Sequence, residues 1–138
     1  KNKMLIKIKQ AGLENRVLFL GKKPFEELPK LFQGMSVVAA LSRNEGYGLT
    51  PLEGMASGAA VLTSSAGVWD ELVRDGIDGY VVDVDNVDQT SEKLNLLIEN
   101  SSKTKIMGEN AAKYISENFS VENEAEKIIK YVRDVQNI

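Results

Sequence analysis

A chain of 138 residues is long enough for one domain with a hydrophobic core and too short for two domains of ordinary size. Hydrophobic residues make up 43% of the chain and charged residues 27%, which is typical of a soluble globular domain and excludes a disordered or fibrous one. The net charge of -3 provides no concentrated basic surface, so we expect no nucleic-acid partner.

Two residue types that carry much of enzyme chemistry are missing from the sequence. There is no cysteine, which excludes disulfides, thiolate catalysis and cysteine-ligated zinc within this chain. There is no histidine, which removes the commonest general base and a common metal ligand. Any proton or charge chemistry must therefore use carboxylates, backbone groups or groups of the substrate.

The sequence has no apolar run long enough to span a membrane, and its N-terminus lacks the apolar segment of a signal peptide. We therefore expect a cytoplasmic protein. The chain opens with Lys1-Asn2-Lys3 and passes directly into a helical pattern, with no initiator methionine and no preceding strand. This abrupt start predicts a truncated piece of a longer protein.

Short apolar runs alternate with segments at helical spacing, which indicates βα units that stack into a parallel sheet. Each run is apolar on both faces, as expected of a strand that helices cover on both sides. The predicted strands lie near residues 17–20, 37–41, 61–63 and 80–82. The predicted helices among them lie near residues 4–11, 25–32, 51–57 and 68–73.

After the last predicted strand the sequence becomes helical to its end. Residues 89–99, 103–117 and 121–135 each carry apolar side chains on one face, which predicts three amphipathic helices in succession. The whole pattern predicts a single α/β domain, in which a Rossmann-like, doubly wound parallel sheet is followed by several α-helices.

The most informative segment is EGYGLTPLE, residues 45–53, which lies between the predicted strand ending near Leu41 and the next helix. In an open parallel sheet, ligands bind beyond the carboxyl ends of the strands. The segment therefore lies where a ligand is expected.

The interior of this segment favours a phosphate ligand. Gly46 and Gly48 allow the backbone to approach a ligand closely, and the N–H groups of Gly48, Leu49 and Thr50 belong to the start of a helix. Such a turn binds phosphate through its unpaired donors and the positive end of the helix dipole. We expect a diphosphate. An NAD site is not expected because the third glycine of the dinucleotide fingerprint is absent, and a P-loop is not expected because its lysine motif is absent.

Two carboxylates, Glu45 and Glu53, lie on either side of the glycine loop, residues 46–48. An ionised carboxylate can accept hydrogen bonds from two adjacent hydroxyls, and ribose and hexose both carry such pairs. With Glu53 expected on the first turn of the helix and Glu45 across the loop, the arrangement suits a nucleotide sugar whose diphosphate lies between them.

The E-x(7)-E pattern, with its interior GYGLTPL and the following Met55-Ala56-Ser57-Gly58, resembles the donor-site signature of GT-B glycosyltransferases, especially glycosyltransferase family four. Residues 12–21, GLENRVLFLG, and residues 71–82 are similar to the segments that flank this signature in the family. The resemblance extends over nearly the whole chain, from residue 12 to residue 131. It implies the C-terminal, donor-binding half of a GT-B fold.

The resemblance also implies a role for each part of the site. Glu45, the candidate catalytic residue, matches the glutamate that contacts the hydroxyls of the transferred sugar, and we assign it to positioning rather than to covalent attack. Glu53 matches the glutamate that binds the ribose hydroxyls. The family's base pocket implies that Lys22 and Lys23 lie beside the nucleobase. The loop backbone that would bind the diphosphate and sugar comprises Gly46, Tyr47, Gly48, Leu49 and Thr50.

Several positions depart from the family's pattern. Tyr47 stands where phenylalanine is usual, and Gly54 stands where alanine is usual, at a cost to the helix of about 1 kcal/mol. Ala60 and Asp70 replace usual prolines. The family's first strand of this domain, its diphosphate-clamping Arg and Lys and its N-terminal acceptor-binding domain have no counterpart here. We therefore expect residues 1–138 to be a fragment of the nucleotide-sugar-binding domain.

Structural interpretations compete with functional ones at several residues. Thr50-Pro51-Leu52-Glu53 also fits a capping box with proline at the first helical position, in which Glu53 satisfies a backbone donor. Asp83-Val84-Asp85 is similar to a metal-binding DxD motif, but we favour a polar loop, because the GT-B resemblance covers these residues and implies no metal. Trp69 is expected to pack against the sheet, and Tyr114 and Tyr131 are expected in the core.

Lysines of the last two helices raise the question of membrane contact, since many members of the family act at the cytoplasmic membrane face. Acidic residues are interspersed among these lysines, so we favour a solvated helix face over binding to anionic lipid. A peripheral contact with the inner membrane face stays open. The lysines concerned are Lys103, Lys105, Lys127 and Lys130.

The resemblance implies an enzyme that moves a hexose from a UDP- or GDP-sugar to an acceptor such as a lipid or polysaccharide. It further implies retention of the anomeric configuration, with no metal and no cofactor. Two alternatives stay open: a non-catalytic nucleotide-binding or scaffold module, and a nucleotide-sugar epimerase on the same architecture. The isolated fragment is expected to be inactive, because water exclusion and acceptor positioning require the other domain.

Overall fold

The computed structural model describes residues 2–136, in which helices and short strands alternate along the chain. The strands are β1 (Val37–Ala40), β2 (Ala60–Ser64) and β3 (Gly79–Val82). The α-helices are α1 (Asn2–Gln10), α2 (Leu28–Gln33), α3 (Leu49–Ala56), α4 (Trp69–Leu72), α5 (Val87–Glu99), α6 (Ser101–Asn118) and α7 (Val121–Gln136). A 3-10 helix, Phe25–Glu27, leads directly into α2. Each of the seven predicted helices is present, with ends shifted by no more than two residues when the 3-10 helix is counted with α2.

The three strands form one parallel sheet in the order β1-β2-β3. Val37 is the partner of Ala60, and Val61 is the partner of Gly79, so the carboxyl ends of the strands lie at one edge. The central strand β2 is buried along its whole length, as expected of a strand covered on both faces. The sheet confirms the predicted α/β class and three of the four predicted strands.

Helices cover both faces of the sheet, and the sheet separates the core into two clusters. Alternate residues of a strand point to opposite faces, so Val61 and Leu62 of β2 belong to different clusters. The first cluster includes Val38, Met55, Val61, Trp69 and Val73. The second includes Ala60, Leu62, Tyr80, Leu97 and Met107.

Two glycines allow helices to approach the sheet closely. A Cβ added to Gly54 of α3 would lie 2.8 Å from Cγ2 of Val38, so the missing side chain lets α3 lie directly on β1. This contact explains why this chain has glycine at position 54, where the family usually has alanine. Gly108 of α6 lies against the carbonyl group of Gly58, with which any added Cβ would overlap. α6 is thereby held against the turn between α3 and β2.

Residues 17–20, which were predicted as a strand, do not form one. Leu18 is 80% exposed there, although its apolar neighbours gave the segment the pattern of a buried strand. A strand is stabilised by ladder hydrogen bonds to a neighbouring strand, and the described sheet consists of β1, β2 and β3 alone. The prediction was wrong because the local pattern does not show whether a neighbouring strand is present.

The first and last helices pack little against the described core. Neither α1 nor α7 contains a buried residue. Tyr131 of α7 is 71% exposed, so the prediction that it lies in the core is wrong. Tyr114 of α6 does pack against the first core cluster, as predicted. The apolar stripe of α7 has the spacing of a core face, but α7 packs mainly against α6.

Acidic partners accompany the lysines that were considered for lipid contact. Lys105 lies 3.8 Å from Glu109, and Lys127 lies 2.7 Å from Glu124. These pairs support the interpretation of α6 and α7 as solvated on their charged faces. Within residues 2–136, no helix has both the length and the apolar character needed to cross a bilayer.

Candidate donor site

The segment 45–53 lies at the edge of the sheet where the parallel strands end. β1 ends at Ala40, the connecting loop follows, and α3 begins at Leu49. The loops after β2 and β3 leave the sheet at the same edge. The structure therefore positions this segment as predicted, beyond the carboxyl end of a strand.

The start of α3 is an uncapped helix N-terminus. Gly48 is the N-cap residue, with φ 70° and ψ 101°, and no side chain makes a capping hydrogen bond there. Its positive φ is favourable for glycine and strained for other residues. The first N–H groups of a helix lack intrahelical partners, so those of Leu49 and Thr50 are available to an anion.

The helix boundary rules out the capping-box interpretation. α3 begins at Leu49, so Pro51 is its third residue rather than its first. Glu53 is consequently the fifth residue and belongs to the second turn, not to the first turn where it was predicted. Because the N-cap residue is glycine and receives no side-chain bond, Glu53 has no capping role. Its carboxylate thus remains available for another partner.

Glu45 folds over the glycine loop. A Cβ added to Gly48 would lie 2.7 Å from Cγ of Glu45, so the space above this glycine is filled by the glutamate side chain. Ser42 Oγ donates a hydrogen bond of 3.2 Å to Oε2 of Glu45. The carboxylate is nevertheless exposed, so it can accept hydrogen bonds from a ligand.

The glycine loop rests on the segment that follows β2. A Cβ added to Gly67 would lie 2.9 Å from the carbonyl oxygen of Gly46, and one added to Gly48 would lie 3.2 Å from Cζ2 of Trp69. Trp69 is only 2% exposed. It packs in the core cluster against β1 and β2, as predicted, and lies beneath the loop, so its ring is not presented to a ligand.

Glu53 lines a small, largely apolar cavity on the flank of α3 that faces α2. The cavity has a volume of about 250 Å³, and Glu53 is its only charged residue. A lone carboxylate beside apolar walls can bind the hydroxyls of a ligand whose remaining surface is apolar. The other lining residues are Phe25, Leu28, Pro29, Phe32, Ala56 and Ser57.

The predicted nucleobase lysines lie near the start of α2. Lys23 is 3.7 Å from Glu27 and lines a cavity of about 460 Å³ that also involves Leu20 and Lys30. Lys22 is exposed. The structure thus gives Lys23 an acidic neighbour and a different cavity from that of Glu53. The remaining predicted loop residues, Tyr47, Leu49 and Thr50, are all exposed beside the glycine loop.

The loops after β1 and β3 are joined by a contact that the sequence pattern did not predict. Arg43, in the loop after β1, forms an ion pair with Asp85. The hydrogen bond that Arg43 donates to the Asp85 carboxylate raises the pKa of Arg43 above its ordinary value. Asp83 accepts a hydrogen bond of 2.9 Å from the backbone N–H of Asp85, which supports the polar-loop interpretation of this DxD sequence. In the described part of the chain, no group of three or more acidic residues could hold a metal ion.

Comparisons with known sequences identify the family of this chain. Residues 1–114 match the family described as Glycosyl transferases group 1. The lipopolysaccharide core biosynthesis mannosyltransferase LpcC of Rhizobium leguminosarum bv. viciae is 37% identical over 127 residues, covering 92% of this chain and 36% of the relative. The corresponding LpsB of Rhizobium meliloti (strain 1021) is 30% identical over 88% of this chain and 35% of the relative. The chain thus spans about a third of the length of these relatives.

Several solved structures also resemble this chain over most of its length. The C-terminal domain of the glycosyl transferase group 1 family protein LpcC from Francisella tularensis has a TM-score of 0.81 at 31% identity, over 87% of this chain and 62% of that one. Anabaena Alr3699/HepE, in complex with UDP, has a TM-score of 0.85 at 29% identity, over 96% of this chain and 36% of that one. A structure of HepE with UDP-glucose has a TM-score of 0.82. The chain therefore belongs to the glycosyl transferases group 1 family and has the α/β fold of a GT-B glycosyltransferase C-terminal domain.

Proposed function

We propose that this chain forms part of the donor-binding domain of a retaining glycosyltransferase. The enzyme would move a hexose from a UDP- or GDP-sugar to an acceptor such as a lipid or polysaccharide. The observation that carries the proposal is an uncapped helix N-terminus, that of α3, with Glu45 before it and Glu53 within it. Membership of the family and the UDP and UDP-glucose bound to HepE support the same assignment.

The diphosphate would bind at the start of α3. The N–H groups of Leu49 and Thr50 and the positive end of the helix dipole favour a negatively charged group there. Gly48 supports this role because its positive φ starts the helix and its missing side chain lets Glu45 and Trp69 pack directly against the loop. Stabilisation of the departing nucleoside diphosphate by these fixed donors would provide much of the catalysis. The predicted contacts of Gly46 and Tyr47 belong to the same subsite.

The nucleoside would extend from this point toward the cavity beside Glu53. An ionised Glu53 can accept hydrogen bonds from both ribose hydroxyls, and the apolar walls formed by Phe25 and Phe32 suit a planar base. Lys22 and Lys23 stay predicted neighbours of the base, with Lys23 now also close to Glu27.

The hexose would lie beside Glu45, whose exposed carboxylate can accept hydrogen bonds from sugar hydroxyls. The Ser42 hydroxyl donates to one oxygen of this carboxylate and leaves the other for the sugar, and we assign Glu45 to positioning rather than to covalent attack. The relatives LpcC and LpsB are named mannosyltransferases, whereas HepE was solved with UDP-glucose. Both mannose and glucose donors are therefore candidates.

We also propose that residues 1–138 are a fragment of a longer, cytoplasmic enzyme. The relatives are about three times as long as the matched segment, which leaves room for an acceptor-binding domain and the first strand of this one. The exposed apolar residues of α7, among them Ile128 and Val132, would then be covered in the complete protein. A peripheral contact with the inner membrane face would suit a lipid-linked acceptor. The fragment alone would not catalyse transfer.

A transfer assay on the complete polypeptide tests this function. It would be supplied with UDP-glucose, UDP-N-acetylglucosamine, UDP-galactose or GDP-mannose and a lipid or glycan acceptor, and the anomeric configuration of the product would be read by NMR. We expect one donor to give a product with retained configuration, and Glu45→Gln to lower the rate by at least tenfold, or about 1.4 kcal/mol. Isomerisation of the donor would indicate an epimerase, and consumption of no donor would favour a scaffold; either result contradicts the proposal.

A further inference from the structure

Two serines at the ends of neighbouring strands form a hydrogen-bonded chain that ends at Glu45. Ser64, the last residue of β2, is 2% exposed, and its Oγ donates to the carbonyl oxygen of Ser42 at 2.5 Å. Ser42 Oγ in turn donates to Oε2 of Glu45 at 3.2 Å. We propose that Ser42 and Ser64 are positioning residues that orient Glu45 toward the sugar of the donor. This inference rests on the proposed function.

The direction of each hydrogen bond determines how Ser42 and Ser64 can act on Glu45. A buried hydroxyl needs a partner, so Ser64 fixes the backbone of Ser42 against β2. The Ser42 hydroxyl can then donate to one carboxylate oxygen and leave the other oxygen of Glu45 for the ligand. Without this bond, an exposed glutamate samples several rotamers, and ordering them on binding lowers the affinity. The serines therefore preorganise Glu45.

A second connection holds the same loop but is weaker. Arg43 and Asp85 form an ion pair whose side chains are 65% and 67% exposed. Exposed ion pairs are screened by water and salt, whereas Ser64 is 2% exposed and Ser42, which it holds, donates directly to the Glu45 carboxylate in a bond that is itself exposed. We therefore assign the positioning of Glu45 mainly to the hydrogen bonds of Ser42 and Ser64 and not to the ion pair.

This assignment predicts a selective effect on the sugar part of the donor. Glu45 faces the sugar, whereas the diphosphate and nucleoside bind elsewhere in the proposed site. Ser42→Ala should therefore weaken binding of the nucleotide sugar by about tenfold and leave the free nucleoside diphosphate unaffected. Ser42→Thr keeps the hydroxyl and should restore most of the affinity. Ser64→Ala should act in the same direction with a smaller effect.

The test is calorimetric titration of the complete polypeptide with UDP and UDP-glucose, and with GDP and GDP-mannose. The variants are Ser42→Ala, Ser42→Thr, Glu45→Ala and the double variant Ser42→Ala with Glu45→Ala, with Ser91→Ala as an exposed-serine control. If Ser42 acts through Glu45, its removal has no further effect once Glu45 is alanine. Ser42 variants carry the test even if Ser64→Ala fails to fold, because Ser42 is only partly buried.

Three results would overturn the inference while leaving the proposed function intact. The first is that Ser42→Ala and the unaltered protein bind the nucleotide sugar with equal affinity. The second is that Ser42→Ala weakens binding of the free nucleoside diphosphate as much as binding of the nucleotide sugar. The third is that the effects of Ser42→Ala and Glu45→Ala are additive. A fourth result, no binding of any nucleotide by the unaltered protein, would overturn the proposed function and the inference together.

Discussion

Thr63 lies in the central strand β2 and is fully buried, yet its hydroxyl has no hydrogen-bond partner among the described residues. An unsatisfied buried hydroxyl is destabilising, and valine has nearly the same shape without the polar atom. We therefore predict that Thr63→Val raises the free energy of unfolding by about 1 kcal/mol. Urea denaturation measures the change.

Thr104→Val is a matched control for this prediction. The hydroxyl of Thr104 is also buried, but it donates to the carbonyl oxygen of Leu97 at 2.6 Å. Its removal should lower the free energy of unfolding by about 1 kcal/mol, because the carbonyl loses its partner. Destabilisation by both substitutions would show that the Thr63 hydroxyl is satisfied after all.

Gly48 combines a backbone requirement with a role in the site. Its φ of 70° is strained for any side chain, and a Cβ there would displace Glu45. We predict that Gly48→Ala lowers the free energy of unfolding by about 1 kcal/mol and also weakens nucleotide-sugar binding by at least tenfold. Denaturation and calorimetric titration measure the two effects.

Gly12→Ala separates backbone strain from the effect on the site. Gly12 has φ 65°, and nothing lies within 4 Å of an added Cβ. This variant should share the loss of stability and keep the donor affinity of the unaltered protein. Undiminished affinity in Gly48→Ala would contradict the arrangement of Glu45 described above.

The residues of the site differ in how far sequence could predict them. Glu45, Glu53 and the intervening glycines are close in sequence, so their spacing, their place after a strand and the family resemblance together predicted a ligand loop. Ser42 and Ser64 are joined only because β1 and β2 are neighbours in the sheet, and no local pattern encodes that contact. The capping-box interpretation failed for a related reason: Thr50 suits an N-cap, but the backbone places Gly48 there.

At the scale of elements, Arg74 ties the turn before β3 to α6. Its Nε and terminal N–H groups donate to the two oxygens of the buried Asp78 at 2.7 and 2.6 Å, and its guanidinium lies 4.4 Å from the ring centre of Tyr114. The hydrogen bonds to Asp78 raise the pKa of Arg74, so the arginine stays charged through the neutral and alkaline range. Its contribution to stability would be lost only when the pH rises above that raised pKa.

We predict that Arg74→Lys lowers the free energy of unfolding by about 2 kcal/mol. Lysine cannot donate to both carboxylate oxygens in the same fork or stack on Tyr114 in the same way. Chemical denaturation measures the loss, and Lys105→Arg at an exposed pair serves as the control. A change within about 0.5 kcal/mol for Arg74→Lys, typical of an ordinary surface substitution, would contradict this account.

The elements that sequence predicted well are those whose partners lie within the described chain. β1, β2 and β3 cover one another and are enclosed by helices, so their apolar patterns corresponded to buried strands. Residues 17–20 and α7 have equally apolar patterns but remain exposed. Periodicity shows which face of an element is suited to burial, and it does not identify the surface that buries it.

At the scale of the whole molecule, the glycine loop and the two end helices of the described chain are separate exposed regions. The glycine loop and Glu45 lie at the carboxyl edge of the sheet, where a nucleotide sugar would bind. Apolar side chains are exposed on α1 and α7, at the two ends of the described chain, where Met4 is 56% and Ile128 63% exposed. Under the proposed function, the rest of a longer enzyme would cover these apolar side chains and the loop would bind the donor.

Calorimetric titration of the complete polypeptide with UDP and GDP, comparing unaltered protein with Glu53→Gln, tests donor binding at residues 45–53 most directly. Glu99→Gln, at an exposed glutamate far along the chain, is the control. We predict that one nucleotide binds and that Glu53→Gln alone weakens its affinity by about tenfold, because a charge-assisted bond to the ribose is lost. Binding of neither nucleotide, or equal affinity in Glu53→Gln and unaltered protein, would contradict the account.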